Sequence, residues 1–146
     1  MKTALRRIPR AEFRITAKAP QRRAEGRHIM EQKILDCTLR DGGLVNRFYF
    51  TDDFVRGLYQ ANLQAGIDYM EFGYKASEAL FDRREFGKWK FCREEDLRAV
   101  VGDNKTSMKI SVMADVGRTD YSKDILEKKD SVIDMVRIAA YAEWRW

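Results

Sequence analysis

Apolar residues follow two alternating patterns from residue 33 onward. Short apolar runs, typical of buried strands, alternate with segments whose apolar residues recur at helical spacing. Thr51 is placed to cap the first helix and Gly66 to end it, while the Gly42–Gly43 pair predicts a loop after the first strand. The predicted strands are 33–38, 67–72, 108–116 and 132–140, and the predicted helices are 52–65, 94–101 and 122–129.

This alternation predicts an α/β fold. Strands joined through helices run parallel with right-handed crossovers, and a parallel sheet needs cover on both faces. About four such units would form either a small open sheet or the first half of a barrel. The pattern alone does not separate these two architectures.

Charge divides the chain into two parts. Residues 1–33 hold ten Lys and Arg against three acids, whereas residues 34–146 hold 18 against 20. This basic segment has three possible interpretations: a transit peptide, a nucleic-acid-binding arm, or a translated upstream stretch. We favour the last, with translation of the native protein beginning at Met30. The sequence thus predicts a basic, disordered head over 1–32 and a folded domain over 33–146.

Hydropathy and cysteine content indicate where in the cell the protein is expected. No run of about 18 apolar residues is present, so no membrane span is expected. Two cysteines, Cys37 and Cys92, are too few for a disulfide framework. We therefore expect a cytoplasmic protein, with Cys37 buried and inert within the first strand.

Candidate chemistry lies where two strands end. Arg40 and Asp41 follow the first predicted strand, and Glu71 lies at the same end of the second. Ligands of α/β proteins collect at the carboxyl ends of strands, and neighbouring strands lie about 4.8 Å apart, so Arg40 and Glu71 could pair. The alternative is a structural ion pair beside a solvated aspartate.

These residues also carry a family resemblance. The run ILDCTLRDGG, followed by FTDDFVRGLYQANLQAGIDYMEFGYK, resembles the start of the HMG-CoA-lyase-like or pyruvate carboxyltransferase domain of the DRE-TIM metallolyase superfamily. Its signature is an Arg-Asp pair after the first strand and a Glu after the second, matching Arg40, Asp41 and Glu71. The resemblance extends over about 33–141. It implies the N-terminal half of a (β/α)8 TIM barrel.

The resemblance also implies a reaction. Enzymes of this group use a divalent metal, Mg²⁺, Mn²⁺ or Zn²⁺, to make or break C–C bonds beside a carbonyl. Aldolases, lyases and acyl-transfer synthases are among them. By this likeness Arg40 would stabilise the enolate of a 2-oxo acid, Glu71 would orient Arg40, and Asp41 would be one metal ligand. The metal would polarise the substrate carbonyl as a Lewis acid.

The sequence departs from the family pattern in two places. Gly43-Leu44 stands where the synthases carry Glu-Gln and one aldolase group carries Ser-His. The other metal ligands of the family form a His-x-His pair on a late strand, and this chain has no histidine after His28. We therefore expect the full ligand set to be absent, the domain to be truncated at its C-terminus, and the chain to be an incomplete catalyst.

Two further residues are weaker candidates for substrate binding. Lys75 lies in the aromatic and cationic loop 74–91, which would lie over a barrel site or simply pack on the surface. Arg137 on the fourth strand would face the barrel interior or pair with Asp134, and the structural pairing is slightly favoured. The expected partners are a 2-oxo acid and, through an uncovered fourth strand, a second copy. The competing class is a binding module whose basic head contacts nucleic acid, which we do not favour.

Overall fold

A computed structural model describes residues 31–142 of the chain. The predictions for the basic head, including the start at Met30 and the solvated His28, lie outside the described residues. The expectation that the chain is cut off after Trp146 also concerns residues outside this range.

Strands and helices alternate through the described residues. The strands are β1 (Leu35–Asp36), β2 (Tyr69–Tyr74), β3 (Lys109–Asp115) and β4 (Met135–Ala139). The α-helices are α1 (Thr38–Asn46), α2 (Asp52–Ala65), α3 (Glu94–Val101) and α4 (Tyr121–Asp124), and two 3₁₀ turns cover Lys88–Lys90 and Lys128–Asp130.

The four strands form one parallel sheet in the order β1-β2-β3-β4. The α/β class and the four predicted parallel strands are therefore confirmed. Glu71 lies opposite Ser111 in the register of β2 and β3, and Met113 lies opposite Arg137 in the register of β3 and β4. Because side chains alternate between the faces of a strand, these positions place polar groups on one face of the sheet.

The opposite face of the sheet is apolar and lies against helices. Met70, Phe72, Ile110 and Val112 are completely buried, and the Phe72 ring lies 6.5 Å from that of Tyr59 on α2. The core therefore lies between the sheet and the helices, on the side of the sheet opposite Glu71 and Ser111. No helix among the described residues combines the length and the apolar character that crossing a bilayer requires.

The predicted ends of α2 are confirmed. The Thr51 hydroxyl accepts a hydrogen bond from the Phe54 amide at 3.3 Å, as an N-cap residue does. Gly66 ends the helix with φ of 73°, the left-handed conformation that glycine adopts without strain. The helix predicted over 94–101 also matches α3.

The loop predicted around Gly42–Gly43 is wrong, because these glycines lie within α1. Phe48 packs directly on Gly43, where an added Cβ would come within 2.1 Å of the Phe48 ring. Tertiary packing thus outweighs the low helix propensity of glycine here. Arg40 and Asp41 consequently project from a helix rather than from a flexible loop.

The helix predicted over 122–129 is also wrong, because only a single turn, α4, and a 3₁₀ turn form in this region. Neither turn buries a residue. Without an apolar face against the core, a short polar helix lacks the packing that would stabilise it.

Candidate active site

A buried carboxylate from β2 organises the polar face of the sheet. Glu71 is completely buried, and both of its oxygens accept hydrogen bonds. Arg137 of β4 donates twice, from Nε to Oε1 at 2.7 Å and from Nη2 to Oε2 at 2.5 Å. Arg40 of α1 donates from Nε to Oε2 at 2.9 Å, and the Ser111 hydroxyl donates to Oε1 at 3.2 Å. We call Arg40, Glu71 and Arg137 the arginine pair site.

The predicted pairing of Arg40 with Glu71 is confirmed. Arg40 is the third residue of α1, which starts one residue after β1 and brings the guanidinium against Glu71 of β2. Its Nη1 contacts the Asp41 carboxylate at 2.5 Å. The Arg40 side chain is 17% exposed and that of Arg137 is 36% exposed, so both guanidinium groups remain partly open to a ligand.

The charges at the arginine pair site stabilise one another. Burial raises the pKa of Glu71, but the hydrogen bonds and charges of Arg137 and Arg40 outweigh this effect and hold that pKa below its ordinary value. The formal charges balance, because Arg40 and Arg137 face the buried Glu71 carboxylate and the Asp41 carboxylate pairs with Arg40. The partly exposed guanidinium groups are donors that suit a carboxylate or an enolate oxygen as ligand.

Cys37 lies beside the same carboxylate. Its sulfur is 3.6 Å from Glu71 Oε2 and 3.8 Å from Arg137 Nη2. Burial, followed by the Glu71 charge, raises the pKa of the Cys37 thiol. Cys37 is only partly buried, and its raised pKa keeps it in the unreactive thiol form at neutral pH.

Asp41 does not have the surroundings of a metal ligand in the described part of the chain. Its side chain is 59% exposed and contacts Arg40. Among residues 31–142 no group of three or more His, Cys, Asp or Glu is arranged to hold a metal ion. One carboxylate does not satisfy a divalent cation, which takes several ligands. The divalent metal that the resemblance implies stays a prediction, and no step proposed below depends on it.

Of the two weaker candidates for substrate binding, Arg137 lies at the site and Lys75 does not. Arg137 belongs to the arginine pair site, so the favoured pairing with Asp134 is wrong. The Asp134 carboxylate is instead occupied by the Ile110 amide and the Lys128 ammonium, each at 2.9 Å. Lys75 is buried elsewhere, with its ammonium 4.0 Å from Glu94 Oε1. It lines a separate cleft of about 470 Å³ between the start of α3 and α4.

One residue near the site was missed in the sequence. Lys90 lies in the 3₁₀ turn before α3, and its ammonium sits 4.6 Å from the ring centre of Tyr74. Tyr74 also lies beside Arg40; burial raises the pKa of the Tyr74 hydroxyl, and the Arg40 charge opposes this effect only in part. The only signal in the sequence was the aromatic and cationic composition of the loop 74–91.

Comparisons of the chain with protein-family models, with curated proteins and with solved structures gave no match. The function proposed below is therefore based on the geometry of the arginine pair site and on the motif resemblance.

Proposed function

We propose that this chain forms the N-terminal half of a (β/α)8 barrel that makes or breaks a C–C bond beside the carbonyl of a 2-oxo acid. In this proposal Arg40 binds the carboxylate or enolate oxygen of the substrate. The observation that carries it is the buried Glu71 carboxylate, which holds Arg40 and Arg137 together on the polar face of a parallel sheet.

The strand order supports the barrel. Doubly wound sheets reverse their strand order, and ligands bind at the point of reversal. The order β1-β2-β3-β4 has no reversal among the described strands. In a barrel the inward face of each strand alternates with an outward face that lies under helices. Glu71, Ser111 and Arg137 would then point into the barrel, and Met70 and Phe72 would point outward.

The arginine pair site is suited to stabilising an enolate. An enolate oxygen carries the charge that develops when a bond beside a carbonyl breaks, and preorganised cations lower the free energy of that state. Glu71 holds the Nε of Arg40, and Asp41 holds its Nη1, so the guanidinium is fixed on two sides. Fixed in this way, the guanidinium needs little reorganisation during the reaction.

Ligand binding tests this proposal directly. The full chain is titrated by calorimetry with pyruvate and with oxalate, a planar dianion that resembles the pyruvate enolate. Arg40→Gln should weaken oxalate binding about tenfold to a hundredfold, the loss expected for a hydrogen bond to a charged group. Arg56→Gln is the matched control, because Arg56 is an exposed arginine on α2 whose ion pairs are with Asp52 and Asp53.

Arg56→Gln should bind both ligands like the unaltered chain. Equal oxalate affinity for the unaltered chain and Arg40→Gln would overturn the assignment of Arg40. Failure of the unaltered chain to bind either ligand at millimolar concentration would overturn the 2-oxo acid as substrate class.

A further inference from the structure

A nearly buried carboxylate at the end of β3 lacks hydrogen-bond donors. The Asp115 side chain is only 7% exposed, and within residues 31–142 its carboxylate accepts no hydrogen bond. Its one ion pair in this part of the chain is with Arg118, whose Nη1 lies 4.0 Å away, beyond hydrogen-bond distance. Buried polar groups are nearly always satisfied, so a carboxylate in this state marks a place where a ligand can supply the donor.

Asp115 lies on the polar face of the sheet, one level above the arginine pair site. Met113 of β3 pairs with Tyr74 of β2 on one side and with Arg137 of β4 on the other. Asp115 follows two residues later, so its side chain points to the same face and lies about 7 Å further toward the carboxyl end of the strand. In parallel α/β folds this is the end of the strands at which ligands bind.

Tyr74 lies between Asp115 and the arginine pair site. Burial raises the pKa of the Tyr74 hydroxyl, the Arg40 charge lowers it, and the Asp115 charge raises it again. Because charge effects decline with distance, the hydroxyl is near both charged groups. Arg40 and Asp115 are therefore placed to contact opposite ends of one small ligand on the polar face.

The charges around Asp115 favour a neutral donor. Burial lowers the pKa of the Lys90 ammonium, the Asp115 charge raises it and the Arg118 charge lowers it, so these three charges lie near one another. A cationic ligand would meet Arg118 and Lys90, whereas an anionic one would meet Asp115. A hydroxyl group adds no charge, and its hydrogen bond to a carboxylate is stronger than one between neutral groups.

The proposed reaction supplies such a hydroxyl. When an enolate carbon adds to a carbonyl carbon, the carbonyl oxygen receives the electron pair of the broken π bond and then a proton from water. This leaves a hydroxyl on the carbon at the new bond, which is C4 when the enolate carbon is C3 of a 2-oxo acid. We propose that Asp115 accepts a hydrogen bond from this C4 hydroxyl while Arg40 binds the 2-oxo acid end, an inference that rests on the proposed function.

Two ligands that differ only in this hydroxyl test the assignment. The full chain is titrated by calorimetry with 2-oxobutanoate and with 4-hydroxy-2-oxobutanoate. The hydroxylated ligand should bind at least about tenfold more tightly, the gain expected for a hydrogen bond to a charged group. Asp115→Ala should bind the two ligands equally, with its affinity for 2-oxobutanoate unchanged.

Asp103→Ala is the matched control, because the Asp103 side chain is 70% exposed and pairs with Arg98 at 2.9 Å. This variant should keep the full preference for the hydroxylated ligand. Asp115→Asn preserves the size of the side chain and removes its charge, so it gives a second measurement that does not depend on Asp115→Ala folding. Its preference should lie between those of the unaltered chain and Asp115→Ala.

Equal affinity of the unaltered chain for the two ligands, or a full preference that persists in both Asp115 variants, would overturn the inference. Arg40→Gln separates it from the proposed function, since this variant should weaken both ligands and leave their ratio unchanged. Affinities that do not depend on Arg40 would overturn the proposed function even where the ratio depends on Asp115. Failure of the unaltered chain to bind either ligand at millimolar concentration would overturn both.

Discussion

Glu71 and Arg137 are joined by two parallel hydrogen bonds that reach across β3, the strand between them. This pair links the second strand to the fourth on the polar face of the sheet, where Ser111 of β3 completes the contact. The side chains that define the site therefore also tie the sheet together, so changes at the site should alter both binding and stability.

Replacing Glu71 with Gln should destabilise the fold. The variant leaves Arg40 and Arg137 facing a neutral amide, and breaking a buried ion pair on one side costs roughly 3–5 kcal/mol. The free energy of unfolding from urea titrations measures this loss. Glu95→Gln is the control, because its side chain is 68% exposed and a surface ion pair contributes little. Equal losses in the two variants would contradict a central role for Glu71.

The stability contributed by Glu71 should disappear in acid. Its pKa is lower in the folded chain than its ordinary value, so folding favours the ionised form. This contribution is complete above the ordinary pKa and is lost as the pH falls through the lowered one. The difference in unfolding free energy between the unaltered chain and Glu71→Gln should be constant from about pH 7 to 5 and shrink below about pH 4. Urea titrations across this range measure it, and a constant difference down to about pH 2 would refute the prediction.

Replacing Gly43 with Ala should lower stability because the new Cβ would collide with the Phe48 ring at 2.1 Å. Overpacking of this kind costs roughly 1–3 kcal/mol. Gly57→Ala on α2 is the matched control, since Gly57 is exposed and an added Cβ there meets nothing within 4 Å. That variant should gain about 0.5–1 kcal/mol from the better helix propensity of alanine. Thermal melts of the two variants should therefore shift in opposite directions, and shifts of the same sign would contradict the packing argument.

Cys37 should react slowly with iodoacetamide at neutral pH. Burial and the Glu71 charge raise the pKa of its thiol, so the rate should rise only at a pH above that of a free thiol such as glutathione. Alkylation rates measured from pH 6 to 10, followed by mass mapping, test this. Cys92 is fully buried, with its pKa also raised by burial, and it should stay unlabelled while the chain is folded. A Cys37 rate that matches glutathione throughout would disprove the raised pKa.

The sequence predicted the elements whose signals are local. Thr51 and Gly66 define α2 through capping preferences that hold wherever a helix begins and ends. The four apolar runs predicted parallel strands because each of the three segments between consecutive runs is long enough for a crossover. The pairing of Arg40 with Glu71 was predicted because the sequence places both residues near the carboxyl ends of two neighbouring predicted strands.

Features that depend on distant contacts could not be predicted in this way. The helical state of Gly42 and Gly43 is favoured by Phe48, which packs against Gly43 and closes the turn after α1. Arg137 pairs with Glu71 of β2, whereas the Asp134 carboxylate near it in sequence is bound to Ile110 and Lys128. Four rings surround the Lys90 ammonium and come from the residues after α1, from β2 and from the long loop: Phe48, Tyr74, Phe81 and Phe86. Residues so scattered along the chain have no periodic signature.

The register of β2 shifts between Glu71 and Tyr74, so that three steps along β2 match two along β3. In a regular strand these two residues would point to opposite sides of the sheet, yet here both lie beside the Arg40 guanidinium. The extra residue in β2 thus places the Tyr74 phenol on the same side of the sheet as Glu71 and beside Arg40. If β2 paired regularly with β3 over the same three steps, the Tyr74 phenol would lie on the helix side of the sheet and would lose its place beside Arg40.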